Sequence, residues 1–178
     1  MIHRNTLYLL GFLLLLPVVS CSDRKSSNET PIDEHQLREP LIKANKHLAA
    51  SEEDMINDFI ARYNWTMEVS GNGLRYMVYE QGSGPQVSKG DRVILNYELR
   101  LLNGEMIYSS EESGPKIFRQ GKAEVEKGLD EAVLILRQGD RAKLILPSHL
   151  GFGLIGDQDR IPPKAVLIYD IHVSQIEK

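Results

Sequence analysis

The consecutive prolines Pro162 and Pro163, just beyond the stretch GFGLIGDQDR at 151–160, forbid a helix where one nucleotide-binding architecture would need it. Gly151, Gly153 and Gly156 have the G-x-G-x-x-G spacing of a dinucleotide fingerprint, and the run RAKLIL before them reads as a strand ended by Pro147. That fingerprint works only where a strand feeds a tight turn and a helix then points its N-terminus at the pyrophosphate. Here about 22 residues remain after Gly156, enough for one closing strand and too few for a βαβ unit of about 30. The glycines therefore form a loop. Asp157 and Asp159 begin like a calcium loop, but the later ligands and the bidentate glutamate are missing.

The rest of the C-terminal region agrees with an antiparallel sheet. In LRYMVYE (74–80), Leu74, Tyr76 and Val78 alternate with Arg75, Met77 and Tyr79. RVILNYELRLL (92–102) is a long strand, Asn103-Gly104 is a hairpin turn signal, and further strands are expected at 105–108, 117–119, 141–146 and 166–176. Between them Val125, Leu129, Ala132, Val133 and Leu136 fall at helical spacing, which predicts one helix over 124–136. The expected class is α+β, a curved antiparallel sheet around one short helix, preceded by an N-terminal helical segment.

That segment spans 35–66. Leu37, Leu41, Ile42 and Leu48, then Met55, Ile56, Phe59, Ile60 and Tyr63, fall at helical spacing, and Ser51 with Glu52, Glu53 and Asp54 reads as an N-cap with an acidic first turn. Two helices meeting near 49–51 are expected. Their apolar stripe is a packing face or, alternatively, the seam of a homodimer.

Residues 1–20 read as a secretory signal, with His3 and Arg4 ahead of the apolar run TLYLLGFLLLLPVV. The tetrad Val18-Val19-Ser20-Cys21 resembles the lipobox of bacterial lipoproteins, which implies cleavage before Cys21 and its acylation; an ordinary cleaved signal with a chance cysteine, or an uncleaved anchor, is the alternative. Two or three acyl chains would hold the protein on a membrane without spanning it. Ser22 is not the aspartate that retains many lipoproteins at the inner membrane, so the resemblance implies the cell envelope and leans toward the outer membrane, facing the periplasm. The polar stretch 21–34 would be a flexible tether. Cys21 is the sole cysteine and no two histidines have metal-ligand spacing, so no metal site is expected, and a formal charge of −4 offers nothing to nucleic acid.

Across 74–178 the chain resembles the FK506-binding-protein type of peptidyl-prolyl isomerase. The resemblance rests on NYELRLLNGEMIYSS (96–110), GKAEVEKGLDEAV (121–133), GDRAKLILP (139–147), LGFG (150–153), IPP (161–163) and LIYDIHV (167–173), in the family's order. It implies a shallow apolar pocket between sheet and helix that binds proline-containing polypeptides. Such a pocket needs no cofactor, because an X-Pro bond isomerises once its carbonyl is desolvated and the twisted amide is favoured over either planar form.

Carried over residue by residue, the resemblance implies catalytic positions at Tyr97, Ile107, Tyr108 and Phe152, and substrate-binding positions at Phe118, Val125, Leu129, Ile161 and Tyr169. The alternative for each is plain core packing. Tyr108 stands where the family has an aspartate, and no neighbouring aspartate is available to replace it. Ile107 replaces an aromatic, Phe152 a loop tyrosine and Leu129 the tryptophan floor, while Glu126 and Arg160 bring charge to an apolar rim. The expectation is an isomerase of weak activity, or a proline-binding scaffold that has lost turnover. The lipobox, helical prefix and altered pocket together resemble the gliding-motility-associated lipoproteins of the family, which implies assistance to exported or envelope proteins.

Overall fold

The computed structural model describes residues 34–178; the signal segment, Cys21 and nearly all of the tether lie outside the described residues. The described chain begins with one helix, α1 (Glu34–Tyr63), rather than two. Ser51 caps nothing and lies within it. Good helix formers on either side, Ala49, Ala50, Glu52 and Glu53, carry the helix through, and the two glutamates are occupied elsewhere: Glu53 pairs with Arg75 and Glu52 accepts from Ser148.

The strands are β1 (Glu68–Val69), β2 (Arg75–Glu80), β3 (Arg92–Leu101), β4 (Met106–Ser109), β5 (Lys116–Arg119), β6 (Arg141–Leu146) and β7 (Leu167–Glu177). They form a single antiparallel sheet in the order β1-β2-β6-β7-β3-β4, with β5 pairing the first half of β3. The two long strands β3 and β7 run side by side from Arg92↔Glu177 to Leu101↔Leu167 and form its spine. Between β4 and β5 a single helical turn, α2 (Ser110–Ser113), is capped by the Ser109 hydroxyl, which accepts from Glu112 N–H. The remaining helix, α3 (Lys127–Val133), is shorter than its apolar spacing predicts. Residues 124–126 stay in the loop, where Ala123 takes φ 53 and Glu126 is extended at ψ 140, and 134–136 tighten into turns bonded to Glu131, Ala132 and Val133.

The two-residue alternation of the strands divides the apolar residues between two faces. Val93, Leu95, Tyr97 and Leu99 of β3, Ala142, Leu144 and Leu146 of β6, and Leu167, Tyr169, Ile171 and Val173 of β7 meet Leu129, Ala132 and Val133 of α3 on the front. On the back, Ile145 and Ile168, one step out of phase, meet Ile56 and Phe59 of α1 together with Val166. The C-terminal half of α1 is therefore folded onto the sheet, and its residues 38–51 stand exposed beyond it.

Candidate functional site

All nine positions singled out from the sequence belong to the front core, six of them buried in it and three packed partly buried against it. β3 and β7 place Tyr97 and Tyr169 side by side, ring centroids 6.1 Å apart. Leu129 in the first turn of α3, Ile107 of β4, Phe118 of β5 and Ile161 of the glycine loop complete a floor in which these four side chains and Tyr169 are at most 3% exposed. Tyr108, Val125 and Phe152 are half-buried and form the rim. A cavity of about 350 Å3 borders that rim between Val125, Glu126, Lys116 and Phe152.

α3 reaches the sheet closely enough to make the floor because Gly128 has no side chain. A Cβ there would lie 2.6 Å from Leu146 Cγ.

Two features interrupt the apolar lining. Glu126, the residue after Val125, turns inward with its side chain 4% exposed. Its Oε1 accepts the Tyr169 hydroxyl at 2.7 Å and lies 3.5 Å from Lys116 Nζ, whereas Oε2 is buried with no partner in the structure. Lys116 also sits over the Tyr97 ring, 5.1 Å from its centroid. Burial, followed by the Glu126 charge, holds the Tyr169 phenol well above its ordinary pKa, and burial with Glu126 and Glu112 pushes Tyr97 up. The sequence contained a signal for Lys116: two residues before Phe118 on a strand, it shares that residue's face.

The second feature corrects an expectation. Tyr108 does have an aspartate partner, supplied from the glycine loop: its hydroxyl donates to Asp157 Oδ2 at 2.5 Å, with Asp159 Oδ2 at 3.3 Å. Asp157 Oδ1 meanwhile accepts the N–H groups of Asp159 and Ile161, at 2.9 and 2.7 Å. The carboxylate that resembled the start of a calcium loop therefore folds the loop and latches it to β4. Hydrogen bonding to Asp157, burial and the two aspartate charges raise the Tyr108 phenol to about 12. For Asp157, burial acts upward but the bonds from Tyr108 and the two backbone amides outweigh it, so its pKa is lowered. Arg160 covers the Tyr108 ring at 5.2 Å, and its Nη1 lies 3.5 Å from Glu112.

The site thus offers apolar and aromatic walls, a latched loop and one buried carboxylate. Desolvation of a bound imide is chemistry that such walls can supply, and it requires neither nucleophile nor metal.

Comparison with known proteins bears on the family and the fold. Residues 84–174 match the model of the family described as FKBP-type peptidyl-prolyl cis-trans isomerase. A Neisseria meningitidis protein named probable FKBP-type peptidyl-prolyl cis-trans isomerase FkpA is 34% identical over 111 residues, covering 62% of this chain and 40% of that protein. Among solved structures, that of AtFKBP13 superposes with a TM-score of 0.60 at 32% identity, covering 62% of this chain and 98% of that one. FkpA from Escherichia coli, at 24% identity and a TM-score of 0.63, covers 83% of this chain and 74% of its own and shares the fold. The first curated relatives are longer proteins, of which the chain spans 40% and 53%. On the match across 84–174 and the agreement in fold, the chain belongs to the FKBP-type peptidyl-prolyl cis-trans isomerase family.

Proposed function

We propose that this protein is a peptidyl-prolyl cis-trans isomerase acting on proline-containing segments of exported or envelope proteins. The observation that supports the reading is the packing of Tyr97, Ile107, Phe118, Leu129, Ile161 and Tyr169 in one core, with Tyr108, Val125 and Phe152 partly buried against it. Leu154 and Ile155, each about two-thirds exposed in the glycine loop beside that rim, add apolar surface for an unfolded client. The barrier to be lowered is about 18–20 kcal/mol, and the walls act by favouring the twisted amide over either planar form.

The test is the rate of cis-to-trans conversion of a panel of X-Pro peptides by the full chain, with Phe152→Ala and Leu129→Ala as controls. Acceleration by wild type that either variant loses supports the reading; the uncatalysed rate for every X overturns it. That second outcome would favour a proline-binding scaffold, a reading supported by the near-complete burial of the floor and the carboxylate of Glu126 within it.

The anchoring reading rests on Cys21 and its lipobox: a lipoprotein held in the envelope, leaning to the outer membrane, with clients of a gliding-motility machinery among those it would serve. Cys21→Ala should release the protein from the membrane fraction and abolish labelling by palmitate. Failure to incorporate palmitate in wild type overturns the anchor, and unchanged colony spreading after gene deletion overturns the motility role. Homodimerisation through α1 is supported by Leu41, Ile42, Leu48 and Met55, which are 43–58% exposed on the helix.

A further inference from the structure

We infer that Glu52, on α1 and outside the stretch that matches the family model, is a positioning residue for the loop that carries Phe152. The inference rests on the isomerase reading for its functional consequence and on the hydrogen bonds for its geometry. Ser148 opens the 3-10 turn Ser148–Leu150 that leaves β6 toward the site. Glu52 grips it twice: Oε1 accepts the Ser148 backbone N–H and Oε2 accepts the Ser148 hydroxyl at 2.8 Å. Both bonds are charge-assisted and Ser148 is buried, so the grip is strong and largely shielded from water.

The carbonyl of the same serine faces the other way. It accepts N–H from Gly151 at 3.1 Å and from Gly153 at 2.8 Å, the two residues that flank Phe152. Gly153 O then accepts from Lys164 N–H at 2.8 Å, which closes the base of the loop. One carboxylate acting through one serine therefore sets the backbone on both sides of a rim side chain. Glu52 is in turn fixed by helix packing, since Ile56 and Phe59 on the following turns are buried in the back core. The position of α1 on the back of the sheet is in this way transmitted to the pocket on the front.

Removing the carboxylate leaves the Ser148 N–H without its acceptor, and the loop relaxes toward another partner. In the full chain, Glu52→Ala should lower kcat/KM for X-Pro peptides about tenfold, chiefly through kcat, because a displaced rim costs transition-state contacts more than encounter. Glu52→Gln retains an oxygen for the Ser148 amide and should recover most of the loss. Glu53→Gln weakens the adjacent tie of the helix without touching the loop and should leave kcat/KM within about twofold of wild type. Where wild type is active, an unchanged kcat in Glu52→Ala, no rescue by glutamine, or an equal loss in Glu53→Gln would each overturn the assignment. Amide hydrogen exchange at Gly151 and Gly153 gives a readout that does not depend on activity. Faster exchange there in Glu52→Ala and not in Glu53→Gln upholds the positioning even where wild type proves catalytically silent, in which case it is the isomerase reading that fails. Unchanged exchange at both glycines overturns the positioning whatever the activity.

Discussion

Tyr169 and Glu126 meet at the centre of the pocket floor, where the phenol donates to one carboxylate oxygen at 2.7 Å while the other oxygen remains buried without a partner. The two residues come from β7 and the loop before α3, and their pairing places a polar contact within an otherwise apolar core. A pair of this kind costs desolvation on both sides, and each member depends on the other for satisfaction.

The consequence is a non-additive response to mutation. Glu126→Ile alone should destabilise by about 1–3 kcal/mol, because it strands the Tyr169 hydroxyl in the core. Tyr169→Phe alone should destabilise by more, since it removes the hydroxyl donor to a buried carboxylate that already has an unpaired oxygen. The double variant should return to wild-type stability or exceed it, as replacement of a whole buried polar pair by apolar groups of similar size often does. Urea unfolding of the four proteins measures the coupling; two additive losses would show that the pair is not mutually dependent.

The Tyr108–Asp157 latch sets two limits of pH. Asp157 has a lowered pKa in the folded protein, so its contribution is present above its ordinary value of 3.8 and is lost as pH falls through the still lower folded value. The Tyr108 phenol is raised from 10.0 to about 12, so its contribution is present below pH 10 and is lost as pH rises toward 12. Tyr108→Phe should be less stable than wild type at neutral pH and should lose less on going from pH 10 to 12. Thermal midpoints across that range, with ultraviolet titration of the phenols, check both parts. Tyr79, raised to about 12 by burial and its bond to Asp170, continues to titrate in the variant and serves as an internal reference.

Phe152→Tyr tests whether the rim lacks only a donor. The position is half-buried at the mouth, so an added hydroxyl can reach a bound carbonyl without overfilling the core. One such bond contributes about 0.5–1.5 kcal/mol, and kcat/KM for X-Pro peptides should rise by up to about tenfold. Leu129→Trp, another change toward the family pattern, should instead destabilise, because Leu129 is fully buried and an indole is much larger than the side chain it replaces.

How much of this could be read beforehand depended on the distance over which each residue acts. The strand β3 was legible because its buried face shows the two-residue period directly in the chain, and β6 and β7 because they are short apolar runs bounded by Gly139 and by Pro147 and Pro163. That Tyr97, Ile107, Phe118, Leu129, Ile161 and Tyr169 are buried was legible because they lie within motifs of fixed order. The break at Ser51 was misread because the Ser-Glu-Glu-Asp pattern is local, while the partner of Glu52 is Ser148 on a distant turn. The aspartate for Tyr108 was missed for the same reason, since Asp157 arrives from across the site through the fold of the loop. Long-range polar pairs leave no periodicity in a sequence, so these latches were hidden while the apolar core was not.

Gly156, the third glycine of the apparent fingerprint, provides a sharp test of what that spacing is for. It is buried at φ +69, and a Cβ added there would lie 2.0 Å from the Ile161 carbonyl oxygen. That carbonyl accepts the N–H of Asp157, the residue that bonds Tyr108, so the close approach is part of the latch itself. Gly156→Ala must either push Ile161 out of the floor or open the loop, and both changes act on the pocket. The expected loss is about 1–3 kcal/mol of stability together with a lower affinity for proline peptides. By contrast Gly153→Ala, at φ +63 with open space around the added Cβ, carries only the backbone strain and should cost about 1 kcal/mol. Denaturant midpoints and peptide titrations of the two variants separate crowding from conformation. Equal losses would mean that the loop uses both glycines only for their left-handed backbone, and that the contact with Ile161 yields without cost.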